Sequence, residues 1–223
     1  MKGTALKSIA VCSMLLDHTG AVLFPELIWL RYVGRIAFPI YCFLIVEGFV
    51  HTRNLAGYMM RLMIFGLLSE VPFDIAFYNT IVYIDYQNVF WTLLIGLFAV
   101  SFMSLVRIKD IRICIPVQIL IAVPFGIIAQ LAHTDYRWVG VAMRSVMYLF
   151  RQTEPFRIVG STVLMLPAFS TSIEYIGALA FIPLHFYNGK RGVDNQLMKW
   201  AFYLFYPLHL IALSFIRDKL LWI

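Results

Sequence analysis

Apolar residues along this chain gather into long runs, separated by short polar or basic patches. The runs cover 5–24, 30–50, 56–78, 88–106, 113–132, 136–150, 157–170, 172–187 and 200–217. Most are about 17 to 25 residues long, the length a helix needs to cross a hydrocarbon core about 30 Å thick. Strands of about ten alternating residues, the signature of a membrane barrel, are not visible. The pattern predicts an all-α fold, a polytopic transmembrane helical bundle of about nine spans, with eight to ten accommodated. The runs 136–150, 157–170 and 172–187 are short for a full crossing, so one or two of them are expected to be tilted, re-entrant or interfacial. With no internal repeat, low-complexity segment or soluble portion, residues 1–223 read as a single integral membrane domain.

Composition supports the same class. Of 223 residues 61% are hydrophobic and 13% charged, against roughly 25% charged in soluble domains, and the mean hydropathy is +0.82. The formal charge of +6 does not form a continuous basic face, which argues against nucleic acid; it is a topology signal. If loops alternate, eleven Lys and Arg residues lie on one side of the membrane and four on the other. Those four are Arg31, Arg137, Arg217 and Lys219, and the bias predicts a cytoplasmic N-terminus. Cys12, Cys42 and Cys114 have unrelated spacing, so neither a metal site nor a disulfide framework is expected. Lys2 and Lys7 precede the first apolar run as in a signal peptide, but no small-residue cleavage pattern closes it; it reads as a retained first helix.

That topology assigns depths to the polar residues. Asp17 and His18 in the first span, Arg35 in the second, Glu70 and Asp74 in the third, Asn88 opening the fourth, and Asp135 with Tyr136 opening the sixth fall toward the outer side. A charge in hydrocarbon costs roughly 2.5–3.5 kcal/mol on insertion scales, so such groups are expected to find one another. Glu70 and Asp74, four apart, share a helix face, and Arg35 is the cation at matching depth. His18 has the imidazole whose ordinary titration range suits proton transfer near neutrality. Adjacent residues on a helix diverge by about 100°, so Asp17 is a poor partner for His18, and Glu70 or Asp74 is the expected acceptor for its second nitrogen. His209 follows Pro207 at mid-span and reads as packing rather than relay. The turn of Asn188, Gly189, Lys190 and Arg191 could hold phosphates through backbone N–H groups and charge. The bland alternative for Arg35, Glu70 and Asp74 is an ion-pair network that holds helix register.

The strings "LKSIAVCSMLLDHTGAVLF", "LRYVGRIAFPIYCFLIVEGFVHT", "RLMIFGLLSEVPFDIAFY", "NVFWTLLIGL", "TDYRWVGV" and "FYNGKRG" followed by "FYLFYPLHL" resemble, in order, the TraX family of bacterial membrane proteins. The resemblance covers nearly the whole chain. It implies a multi-pass protein of the bacterial cytoplasmic membrane and an acetyltransferase that uses acetyl-CoA, in a family associated with N-terminal acetylation of pilin and related to larger multi-span acyltransferases. It implies His18 as the acyl-transfer histidine, as general base or transient acyl carrier, with Asp17 beside it. Arg35, Glu47, Glu70, Pro72, Asp74, Asn88, Asp135 and Tyr136 match further family positions. Arg35 or Asn88 would stabilise an oxyanion, Asn88, Asp135 and Tyr136 would meet the acceptor, and Asn188, Lys190 and Arg191 would hold the coenzyme. One departure lies after the "DY" pair, where glycine is expected and Arg137 and Trp138 stand, at the outer mouth. The acceptor stays open: a peptide N-terminus, a glycan or a small metabolite. The rival classes are a proton-coupled transporter with His18, Glu70, Asp74 and Arg35 as relay, and a noncatalytic assembly protein. Inverted repeats would favour the transporter, and none is found.

Overall fold

A computed structural model describes residues 1–166, 173–192 and 195–220. Among them the regular structure is helical: α1 (Gly3–Val22), α2 (Ile28–Gly34), α3 (Ala37–His51), α4 (Leu55–Tyr78), α5 (Val89–Met103), α6 (Ile111–Leu131), α7 (Arg137–Leu149), α8 (Glu154–Leu164), a 3-10 helix over Glu174–Ala180, α9 (Phe181–His185) and α10 (Gln196–Leu220). The extended pairing these residues contain is one isolated bridge between Gln87 and Thr134.

Three of these stretches are long and apolar enough to cross a membrane: Ile28–His51, Ile111–Leu131 and Gln196–Leu220. The protein is therefore a helical membrane protein. α1 and α4 match them in length, at 20 and 24 residues, but carry Asp17 and His18, and Arg61, Glu70 and Asp74, inside them. On α6 the apolar residues point outward. Leu120 is 70% and Leu131 75% exposed, which in a spanning helix is a surface for lipid tails.

Two expected spans are broken, each at a proline. The run 30–50 becomes α2 and α3, interrupted at Arg35 and Ile36. Pro39 lacks the N–H that would bond the Arg35 carbonyl, and its ring would clash there, so α3 restarts with Pro39 in its first turn. The run 172–187 divides into the 3-10 turn and α9, with Pro183 again in a first turn. Residue 172 and the end of the run 157–170, from 167 on, lie outside the described residues.

The chain forms two compact units. The first comprises residues 1–41, 67–83 and 173–223 within the described range; the second comprises 42–66 and 84–172. In the first, α1 packs on α2 and α10, while the 3-10 helix packs on α2 and α9. In the second, α5, α6 and α7 pack mutually and α8 lies on α7. The α5 start is set by Asn88, whose side chain accepts from Phe90 N, and the α6 start by Asp110, which accepts from Arg112 N.

Candidate functional site

In the first unit α1 presents Asp17 and His18 to different neighbours, as 100° of helical rotation requires. Asp17 faces α2. Its Oδ1 and Oδ2 accept from Nη2 of Arg35 at 2.6 and 2.7 Å, and Oδ2 accepts from Nη1 of Arg31 at 3.1 Å. Arg35 uses its other terminal nitrogen, Nη1, to donate to Oε1 of Glu174 at 2.5 Å. One planar guanidinium thus bridges two carboxylates, the geometry in which arginine surpasses lysine. Asp17, Arg35 and Glu174 are buried, and with Arg31 they form two acids and two bases, the balance a low-dielectric site demands.

Two glycines let α1 and α2 approach this closely. A Cβ on Gly34 would fall on the Asp17 side chain, and one on Gly20 would lie 2.8 Å from Leu30 Cβ. The glycines of "DHTG" and "VGR" are therefore required by contact, not by backbone angle.

His18 faces α10. Its Nδ1 is 2.6 Å from Nε2 of His209, and Nδ1 of His209 is 2.7 Å from the Phe205 carbonyl oxygen. The two rings are within 9° of parallel, with centres 4.9 Å apart. Parallel rings in face-to-face contact stand about 3.5 Å apart. An N···N separation of 2.6 Å excludes that, so the imidazoles meet edge to edge in nearly one plane. Phe77 and Tyr206 close on His18 edge-on, with ring centres at 5.2 and 5.9 Å.

Other expected partners are placed differently. Asp74 is not the counterion of Arg35: Oδ2 accepts from Tyr83 N at 2.8 Å, and Oδ1 has no partner among the described residues. The carboxylates that hold Arg35 are Asp17 and Glu174, because the helix restart at Pro39 leaves Arg35 at the end of α2, alongside α1 and the 3-10 helix. The second nitrogen of His18 is not held by Asp74 either; His209 occupies it. Glu70 is half-buried on α4.

The turn at 188–191 closes on the start of α1. Lys190 O and Arg191 O accept from Gly3 N and Thr4 N at 2.8 and 3.0 Å, and Asn188 N donates to Met1 O at 3.0 Å. Lys190 N is spent on the Asn188 side chain at 3.1 Å. Two of the turn's four backbone N–H groups, those of Asn188 and Lys190, are thus engaged within the chain. The Lys190 and Arg191 side chains are exposed. Because the turn bonds to Gly3 and Thr4, it lies about 21 Å along α1 from His18, at 1.5 Å per residue.

In the second unit, fully buried Asn88 spends both ends of its amide: Nδ2 donates to Gly66 O at 2.8 Å and Oδ1 caps α5. Asp135 ties two loops together. Its N–H donates to Gln87 O at 2.9 Å, its carbonyl accepts from the Thr92 hydroxyl, and Oδ1 accepts from Tyr86 OH at 3.1 Å. Tyr136 and Arg137 follow with φ of 61° and 42°, so Arg137 stands in a left-handed backbone at the place where glycine was expected. Its guanidinium lies 6.0 Å from the centre of the Tyr86 ring. Arg144, buried in α7, donates through Nη1 to Thr92 O and Gly140 O at 2.7 and 2.9 Å. Among the described residues no cluster of His, Cys, Asp and Glu is arranged for a metal.

Sequence reasoning missed Glu174 and gave His209 a lesser part. An acid in the apolar string "SIEYIGALA" was the available sign of the first, since it requires a cation.

A family model described as TraX protein matches residues 2–217. The chain belongs to the TraX family. A TraX relative in Dichelobacter nodosus, described as a probable fimbrial assembly protein FimC of serogroup H1, is 30% identical over 93% of this chain and 92% of its own length. An uncharacterized protein of Rickettsia prowazekii (strain Madrid E) is 36% identical over 32% of this chain and 27% of its own. No solved structure matches this TraX protein.

Proposed function

We propose that this TraX protein is a multi-pass acetyltransferase of the bacterial cytoplasmic membrane, with about nine spans and a cytoplasmic N-terminus. It moves acetyl from acetyl-CoA to an amine or hydroxyl of an acceptor at or across the membrane. The observation that carries the reading is His18: a half-buried imidazole within α1, oriented by an in-plane contact with His209 and walled by Phe77 and Tyr206. A membrane-embedded base with its ring locked is what acyl transfer requires.

In the reaction, His18 takes the proton of the attacking N–H or O–H while that atom bonds to the thioester carbonyl carbon. The C–S bond then breaks, and the proton passes to the departing thiolate, giving acetylated acceptor and free coenzyme thiol. In the variant with an acyl carrier, a His18 ring nitrogen bonds the thioester carbonyl carbon and the C–S bond breaks, the coenzyme leaving as a thiolate that takes a proton; the acceptor N–H or O–H then attacks that carbonyl, gives up its proton and frees the ring nitrogen. The bridged Arg35 keeps the Asp17 carboxylate in place beside this centre. Lys190 and Arg191 would meet the coenzyme phosphates, and the pantetheine arm would run along α1 toward His18. The relative described as a fimbrial assembly protein supports a pilin N-terminus as acceptor.

The test is binding and slow hydrolysis of acetyl-CoA by the purified protein. Binding is expected to fail in a Lys190→Ala/Arg191→Ala variant, while His18→Ala keeps binding and loses turnover. A folded wild-type protein that binds no acetyl-CoA overturns the reading in favour of a proton-coupled transporter with His18, Glu70, Asp74 and Arg35 as the relay.

A further inference from the structure

We propose that His209 is a positioning residue that sets the tautomer of His18, so that Nε2 of His18 is the basic nitrogen. The inference rests on the reading of His18 as the acyl-transfer base, but its first observable does not.

The Phe205 carbonyl oxygen can only accept, so Nδ1 of His209, 2.7 Å away, carries a proton. With both rings neutral, Nε2 of His209 is then unprotonated and can only accept. Nδ1 of His18 stands 2.6 Å from it, edge to edge and nearly coplanar, where a ring N–H points. Nδ1 of His18 therefore carries the proton of this contact. The remaining nitrogen, Nε2, is left with a lone pair facing away from His209. Many enzymes give this task to a carboxylate behind the histidine. Here the nearest acid in sequence, Asp17, is committed to Arg31 and Arg35, and a backbone carbonyl acting through a second imidazole takes its place.

The arrangement has two consequences for the chemistry. It adds no charge behind the base, so when His18 takes a proton the developing imidazolium is stabilised by the His209 lone pair and, beyond it, by the Phe205 carbonyl. It also turns the direction of attack: Nε2 is the ring atom farther from the α1 backbone, so acetyl donor and acceptor must meet on the side of His18 away from α10. Phe77 and Tyr206 pack edge-on against the His18 ring and help hold its orientation.

Nitrogen-15 NMR of histidine-labelled full-length protein in detergent, with no acetyl donor, reads the tautomer directly. Wild-type His18 is expected to show a protonated Nδ1 and an unprotonated Nε2, and an Nε2–H tautomer overturns the proposal whatever the activity. Three substitutions refine it. His209→Gln can put an amide oxygen where Nε2 stood and is expected to keep the tautomer. His209→Asn reaches only the Nδ1 position, and His209→Leu offers no acceptor; both are expected to give mixed tautomers. For acetyl-CoA turnover, kcat is expected to fall about 10- to 100-fold in the Asn and Leu variants and to recover in Gln. KM for acetyl-CoA is expected to stay within about twofold, as suits a group that acts on the chemical step. A folded His209→Leu protein with an unchanged tautomer and unchanged kcat overturns the proposal. If His209→Leu does not fold, the wild-type tautomer and the Gln against Asn comparison decide it. Absence of acetyl-CoA turnover in wild type refutes the enzymatic reading and leaves the tautomer measurement standing.

Discussion

Arg35 holds Asp17 with one nitrogen and Glu174 with the other, and removing one member of such a buried set leaves an uncompensated charge. Breaking a buried pair from one side typically costs about 3–5 kcal/mol. Arg35→Met is therefore expected to lower the thermal unfolding midpoint sharply, while Arg35→Met combined with Asp17→Asn and Glu174→Gln recovers much of the loss. A single variant as stable as wild type would remove the network from the list of stabilising features. Arg137 poses the opposite case. A left-handed backbone costs a non-glycine residue about 1–2 kcal/mol, whereas glycine adds roughly 0.4–1 kcal/mol of unfolded-state entropy. Arg137→Gly should thus gain about 0.5–1 kcal/mol, read as a small rise in unfolding temperature. A fall would show that the contact of its guanidinium with Tyr86 outweighs the strain.

Between elements, the decisive feature is how closely α1 and α2 approach. A methyl group on Gly34 would coincide with the Asp17 side chain, which cannot move without giving up both arginines. Overpacking of this kind costs about 1–3 kcal/mol, and here the lost hydrogen bonds add to it. Gly34→Ala is expected to destabilise the protein more than Gly66→Ala, whose Cβ would meet its nearest neighbour at 3.4 Å; chemical denaturation of both variants checks the order. α5 offers a separate test. Asn88→Ala removes the cap, worth about 1 kcal/mol, and also strands the Gly66 carbonyl, whereas Asn88→Asp keeps the capping oxygen but sets a second acceptor against the Gly66 carbonyl in a fully buried site. Both variants are expected to be less stable than wild type. Much at this scale was legible in the sequence. Most helix limits lie within a few residues of the apolar runs, whereas the breaks at Arg35 and before α9 were not anticipated from them and trace to Pro39 and Pro183.

At the scale of the whole molecule, the turn at 188–191 is bonded to the first residues of α1, so both must lie on one side of the membrane. Single cysteines at Lys2 and Lys190, in an otherwise cysteine-free protein, are expected to react with a membrane-impermeant maleimide from the cytoplasmic side only. Reaction from opposite sides would refute this placement, and reaction of both from outside would reverse the proposed orientation. The sequence by itself determined that the protein is helical and membrane-embedded, roughly where most of its helices lie, to which family it belongs, and that Asp17 is a poor partner for His18. Those properties depend on composition, on periods of a few residues and on local backbone chemistry. Only the tertiary structure decided that Arg35 meets Glu174, 139 residues away, and that His18 meets His209, 191 residues away. An apolar run specifies that a helix will be buried in lipid or against a neighbour, but many neighbours satisfy that demand equally. Which polar groups meet is settled when glycines permit close approach and buried charges must be matched in space.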